Sequence, residues 1–177
     1  WIEDWEIAAE EKGTPERWRL RASDPGFSVD LELASAKPPV LNGDAGLSQK
    51  SAEPGNASYY YSMTRWLTDG SLQLGDDTFR VSGLSWLDRE WSTSALGADQ
   101  LGWDWFALQL SDGSDLMFYN LRKLDGSQDA QSAGTWIDTV KYGSSMRTRP
   151  SCRSRPGMRS VLPSRSGSIL ATWRCSR

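Results

Sequence analysis

The 177-residue chain contains no histidine, and that absence narrows the chemistry more than any other feature of its composition. Ser-His-Asp catalysis, imidazole general bases and histidine metal ligation are all excluded. There are only two cysteines, Cys152 and Cys175. They admit one disulfide or two free thiols, and without histidine they do not make a zinc site, so no metal is expected. No run of about 18 apolar residues occurs, so no helical membrane span is expected. The chain opens on Trp1 rather than on methionine, without a charged-then-apolar leader, and this suggests a fragment or a processed product. Carboxylates are missing after Asp138: all 23 acidic residues but only 11 of the 20 lysines and arginines precede residue 139. Net charge is therefore −12 before that point and +9 after it.

What the chain has in abundance is tryptophan and alternation. Four of its ten tryptophans, Trp86, Trp91, Trp103 and Trp105, are interleaved with Asp88, Arg89, Glu90 and Asp104. Each indole brings a large apolar area and an N–H that needs a partner, so the stretch from Val81 to Ser127 is the place to look for function. Period-two patterns predict strands over residues 1–9, 17–21 and 27–33, the last the cleanest, with Phe27, Val29, Leu31 and Leu33 on one face. Lys37 to Asn56, rich in Pro, Gly, Ser and Ala, is predicted as a long loop. Tyr59 to Leu67 is predicted as a strand with Tyr59, Tyr61, Met63 and Arg65 on one face and Tyr60, Ser62, Thr64 and Trp66 on the other, ended by a turn at Thr68-Asp69-Gly70-Ser71. Further strands are predicted over 79–86, 103–110 and 115–122, the last two joined by Ser111-Asp112-Gly113-Ser114, with another turn at Leu124-Asp125-Gly126-Ser127. Short strands, Asp-Gly turns and no helical period give an antiparallel all-β barrel or sandwich.

Beyond residue 138 the alternation stops. The arginine- and serine-rich remainder has two readings: a basic arm for nucleic acid or membrane, or sequence that selection never shaped, as after a shift of reading frame. On the second reading no nucleic acid partner is expected.

Several stretches resemble the AttH-like and carotenoid 1,2-hydratase (hydroxyneurosporene synthase) family. They are NASYYYS from Asn56 with Thr64-Arg65, VSGLSWLDREWSTSAL from Val81, GWDWFALQL with DLMFYNLR, and GTWID from Gly134, with Trp1 to Trp5 resembling a shorter upstream element. The resemblance implies an all-β, antiparallel lipocalin-like β-barrel fold with parts of two tandem barrels. Residues 1–97 correspond to the end of a first lipocalin-like domain, 98–139 to the first strands of a second, and 140–177 to the basic tail. Neither barrel is expected to close with these strands. The family also implies a periplasmic or membrane-associated setting, with peripheral membrane contact to load ligand.

Hydrating an isolated alkene requires an acid that protonates carbon, a surface that tolerates a cation, and water. A carboxylic acid among indoles supplies the first two. Asp88, Glu90 and Asp104 are therefore the candidate catalytic residues. Tyr61, Arg65, Trp86, Trp91, Trp103 and Trp105 are the candidate ligand-binding residues. The alternative for each is structural: an ion-pair network at a domain junction and tryptophans that anchor a core. The resemblance implies a cofactor-free hydro-lyase acting on a hydrophobic small molecule, a carotenoid or lipid. The competing expectation is a lipocalin-like carrier of such a ligand without chemistry.

Overall fold

The computed structural model describes residues 3–10, 16–92, 96–139 and 174–176. They form strands and turns and no helix: β1 (Glu6–Ala9), β2 (Arg17–Asp24), β3 (Phe27–Ser35), β4 (Val40–Leu41), β5 (Leu47–Gln49), β6 (Ala57–Leu74), β7 (Asp77–Ser92), β8 (Gln100–Gln109), β9 (Asp115–Lys123), β10 (Ala133–Ile137) and β11 (Arg174–Ser176). All pairings described are antiparallel. An eight-stranded sheet runs β1-β2-β3-β6-β7-β11, with β4 and β5 also paired to β6, and a three-stranded sheet runs β10-β9-β8. Neither sheet closes on itself among the described residues. Apart from Arg174–Ser176, the expectation for residues 140–177 lies outside the described residues, as does any pairing of Cys152.

The chain divides into two compact units. The first takes the described residues of 1–38 and Arg65–Trp86, with β11 lying antiparallel to β7, Cys175 opposite Val81. Its β2–β3 hairpin turns at Pro25-Gly26, where Pro25 presets its own φ and Gly26 takes a φ of 81° that a side chain would oppose. The register places Trp18 opposite Leu33, and Leu33 opposite Thr68 of β6. Leu33 and Trp66 are buried, and the Trp18 and Trp66 rings meet at 5.2 Å. On the exposed side of the hairpin the Arg19 guanidinium donates twice to Asp30, both at 2.8 Å. Gly75 N donates to Gly26 O at 2.8 Å, which ties the tips of the two hairpins together.

The second unit takes Pro39–Thr64 and the described residues of Leu87–Leu162. Here the even-numbered face of β6 (Ser58, Tyr60, Ser62, Thr64) is buried, and it meets the odd-numbered face of β9 (Asp115, Met117, Tyr119, Leu121), which is buried as well. Polar contacts hold β9 in place: Thr64 Oγ1 of β6 donates to Asp115 Oδ2 at 2.8 Å, and Ser48 Oγ of β5 meets Tyr119 OH at 2.9 Å. The opposite face of the β8–β9 pair carries a stack of Phe106 on Phe118, 6.1 Å between centroids.

Two expectations need correction. The stretch from Lys37 to Asn56 is not only loop, because Val40–Leu41 and Leu47–Gln49 pair with β6. Thr68-Asp69-Gly70-Ser71 is not a turn: β6 continues through it to Leu74, paired residue by residue with β3. Gly70 serves closeness there rather than bending, since a Cβ on it would stand 2.1 Å from the Asp30 carbonyl oxygen.

Candidate functional site

Within the second unit the buried faces of β6 and β9 leave a cavity of about 290 Å³. It is lined by Lys50, Tyr60, Glu90, Ser92, Leu96, Gln100, Trp103, Trp105, Tyr119 and Leu121. Strand parity explains most of that lining. Trp103 pairs with Leu121 and Trp105 with Tyr119, so all four side chains leave the β8–β9 sheet on one face. Tyr60 comes from the facing strand, and its hydroxyl accepts the Trp105 indole N–H at 3.1 Å.

Two carboxylates from β7 reach this region. Glu90 Oε1 lies 2.7 Å from Lys50 Nζ and accepts a hydrogen bond from Ser58 Oγ at 2.5 Å. Asp88 accepts from Ser62 Oγ at 2.5 Å and from Tyr60 OH at 3.0 Å, one bond to each oxygen. Behind Ser62, the fully buried Asn42 donates its amide to the hydroxyl at 2.8 Å. A continuous polar chain therefore runs from Asn42 through Ser62, Asp88 and Tyr60 to Trp105. Burial, and after it the Asp88 charge, raises the Tyr60 phenol well above its ordinary value, so it stays neutral and keeps its proton.

Lys50 is fixed from several sides. Its backbone N–H donates to Asn56 O at 2.9 Å and its carbonyl accepts from Gln100 Nε2 at 2.7 Å. Its ammonium stands 4.1 Å from the Tyr119 ring centroid and 5.1 Å from that of Tyr60. Gln100 is itself clamped, accepting from Gly97 N and donating to Asp129.

The structure brings together some of the residues singled out in the sequence and separates others. Glu90, Trp103 and Trp105 line the cavity, and Asp88 stands behind Tyr60. Asp104 leaves β8 on the opposite face, where Arg122 Nε lies 3.3 Å from it and Asn120 donates at 3.4 Å. Tyr61 and Trp91 are absent from the lining and pack on each other at 5.7 Å, with the Arg89 guanidinium 5.2 Å from the Trp91 ring. Arg65 and Trp86 are half-buried members of the first unit. Sequence reasoning missed Lys50, Tyr60, Gln100 and Tyr119. For Tyr60 a signal was present, because Ser58, Ser62 and Thr64 form a row of small hydroxyls around it on one strand face. Among the described residues no group of three or more Cys, Asp or Glu is placed to hold a metal ion, and no helix is long and apolar enough to cross a membrane.

A family model described as AttH-like matches residues 1–158. The dehydratase asqC of Emericella nidulans is 30% identical over 95 residues, 52% of this chain and 25% of that protein. The crystal structure of an AttH-like protein from Nitrosomonas europaea superposes with a TM-score of 0.69 at 34% identity, covering 76% of this chain and 41% of that one. Kievitone hydratase from Nectria haematococca superposes at 0.57 with 17% identity over 77% of this chain and 41% of that one, a likeness of fold. The chain thus spans a quarter of the dehydratase and about two fifths of each solved chain. The antiparallel, lipocalin-like all-β fold implied by the motifs is the fold observed.

Proposed function

Because the chain belongs to the AttH-like family, we propose that it forms part of a lyase that adds water to, or removes it from, a carbon–carbon double bond of an apolar, unsaturated ligand. The observation that carries this reading is the cavity itself, in which the Glu90 carboxylate sits beside the Lys50 ammonium among Trp103, Trp105, Tyr60 and Tyr119. Moving water on or off a double bond transfers one proton and one hydroxyl, with no net redox change. It needs a base within reach, a donor for developing charge, and walls that accept a flat apolar body. In the removal direction Glu90 takes the proton from carbon, the double bond forms as the C–O bond breaks, and the departing hydroxyl recovers that proton and leaves as water. Addition is the reverse, and Glu90 is regenerated either way. Asp88 acts through Tyr60 as a positioning residue, holding the phenol against Trp105. Asp104, on the far face of β8, has no part in this scheme.

The dehydratase among the similar proteins supports the reaction class. The resemblance of the Val81 and Gly102 stretches to carotenoid 1,2-hydratases supports a polyene as ligand. The volume, at the lower end of the roughly 300–1,000 Å³ usual for small-molecule sites, suits one end of such a molecule. The test is mass spectrometry for the gain or loss of one water with Glu90→Gln beside the unaltered protein. Turnover is expected to fall by about 10²–10⁴-fold while ligand binding persists; unchanged turnover would remove Glu90 from the mechanism. One observation favours a carrier instead: Trp103 is 58% exposed at the cavity edge, as suits a surface that takes up an apolar molecule. Recovery of every bound ligand unchanged would decide for the carrier.

A further inference from the structure

Among the residues that line the cavity Lys50 alone carries an amine. A lysine on a surface swings through solvent on a flexible stem, yet this one is 15% exposed at its side chain, and its backbone N–H and carbonyl are engaged by Asn56 and Gln100. Its ammonium lies 2.7 Å from Glu90 Oε1 and 4.1 Å from the centroid of the Tyr119 ring. Ser58 Oγ donates to that same Oε1 at 2.5 Å, which leaves Oε2 out of both contacts. A primary amine with a carboxylate within proton-transfer distance, beside an apolar chamber, has what condensation with a carbonyl compound requires.

The surroundings suit one covalent fate of this amine and oppose another. An ammonium has three N–H groups and a positive charge, whereas the protonated imine formed with an aldehyde has one N–H and the same charge. One N–H is what the contact with Glu90 uses, and the charge is what the Tyr119 and Tyr60 rings face. Condensation therefore keeps both the ion pair and the ring contacts that hold the side chain. Acylation would instead remove the charge that Glu90 and both rings face. The remaining walls indicate what the aldehyde carries, since Trp103, Trp105, Leu96 and Leu121 offer surfaces for an apolar, conjugated body. The chamber is open to water at its edge, where Trp103 is 58% exposed and the Glu90 side chain 38%. Water can return there, so a bond made by losing water is reversible.

We propose that Lys50 captures an apolar, conjugated aldehyde as a protonated imine, with Glu90 as proton carrier and counter-ion, so that the cavity holds such a ligand by a reversible covalent bond. Glu90 first takes a proton from the ammonium. The amine nitrogen then bonds to the aldehyde carbon, and the carbonyl electron pair moves onto oxygen, which receives a second proton from the nitrogen. The C–O bond breaks as the nitrogen lone pair forms the C=N bond, and the oxygen leaves as water with the proton held by Glu90. Ammonium and aldehyde thus become iminium and water, with no change of net charge and nothing oxidised or reduced; hydrolysis is the reverse. This capture goes beyond the lyase reading and does not depend on it.

The experiment adds citral, a linear conjugated aldehyde, to the full chain in less than equimolar amount, reduces with cyanoborohydride to fix any imine as a secondary amine, and maps the adduct by peptide mass spectrometry. Lys123, at 34% side-chain exposure against 15% for Lys50, is the internal reference, because unassisted surface chemistry favours the more open amine. Label is expected at Lys50 about 10-fold above Lys123, since binding raises the effective concentration of the aldehyde at one amine. Glu90→Gln removes the proton carrier and is expected to slow labelling of Lys50 by about 100-fold. In calorimetric titration Lys50→Met is expected to bring citral down to the affinity of geraniol, the alcohol of the same skeleton, which cannot condense. Label no greater at Lys50 than at Lys123 in the unaltered protein overturns the proposal whether or not either variant folds. So does labelling of Lys50 that Glu90→Gln leaves unchanged, and so does a preference for citral that survives Lys50→Met. Each of these failures leaves the lyase reading standing, because gain or loss of water by a polyene needs no imine. Selective label at Lys50 in a protein that moves no water on or off a polyene sinks the lyase reading and keeps the capture.

Discussion

At the scale of single residues, the second unit is governed by small hydroxyls set against carboxylates. Asp115 is fully buried, and Thr64 Oγ1 supplies one of its oxygens at 2.8 Å. Thr64→Val keeps the shape and removes that donor, so the mutant is expected to lose about 1–3 kcal/mol of stability in a urea titration; a loss under about 0.5 kcal/mol would mean that the carboxylate finds another donor at little cost. The same rule shows why the site was only half legible. Glu90, Trp103 and Trp105 announce themselves, because carboxylates among indoles are conspicuous in sequence. Lys50 does not: it lies in a stretch without period, and its burial depends on Gln100 and Asn56, neither of which is informative by spacing. Asp104 was conspicuous for the same reason as Glu90, yet parity sends it to the other face of β8.

At the scale of elements, β3 was legible because it alternates cleanly, whereas β4 and β5, two and three residues long, are too short to hold a period and exist by virtue of pairing with β6. The Asp69-Gly70 pair misleads because the usual turn signal also fits a strand position where two backbones crowd. Gly70→Ala is therefore expected to destabilise the protein by about 1–3 kcal/mol, since β3 has to move to admit the methyl group; a neutral result by thermal denaturation would show that the strands separate freely there. In the β2–β3 hairpin the hydrogen bond from Arg19 holds the Asp30 carboxyl below its ordinary 3.8. A depressed carboxyl adds stability that is present above the unfolded value and drains away as pH falls through the folded one. At 40% side-chain exposure the contribution is screened and small. Asp30→Asn is expected to flatten the fall of melting temperature below about pH 4 and to leave its slope above about pH 5 unchanged; an unaltered acid limb would assign the loss to other carboxylates.

At the scale of the whole molecule, the sheets keep open edges among the described residues. Among the described residues β10 pairs only with β9, and it carries Trp136 at 43% exposure. Unpaired edges with apolar side chains favour association, so light scattering is expected to show a mass that rises with concentration and Trp136→Lys to lower it; a concentration-independent monomer would show that the edge is covered. The burial of β6 has a consequence of another kind, for which changes of length the chain can absorb. Ser58, Tyr60, Ser62 and Thr64 face inward only because faces alternate residue by residue, so removing one residue between 58 and 64 would present Tyr59, Tyr61 or Met63 in place of those preceding the gap. Every substitution in that stretch changes one side chain, but a single deletion exchanges a row of hydroxyls for aromatic and thioether groups while leaving the composition almost untouched. The turn at Ser51 to Gly55, where Gly55 takes a φ of 85°, lies between strands and carries no such alternation. Length variation in descendants of this sequence should therefore gather in that turn and be purged from the strand that follows it.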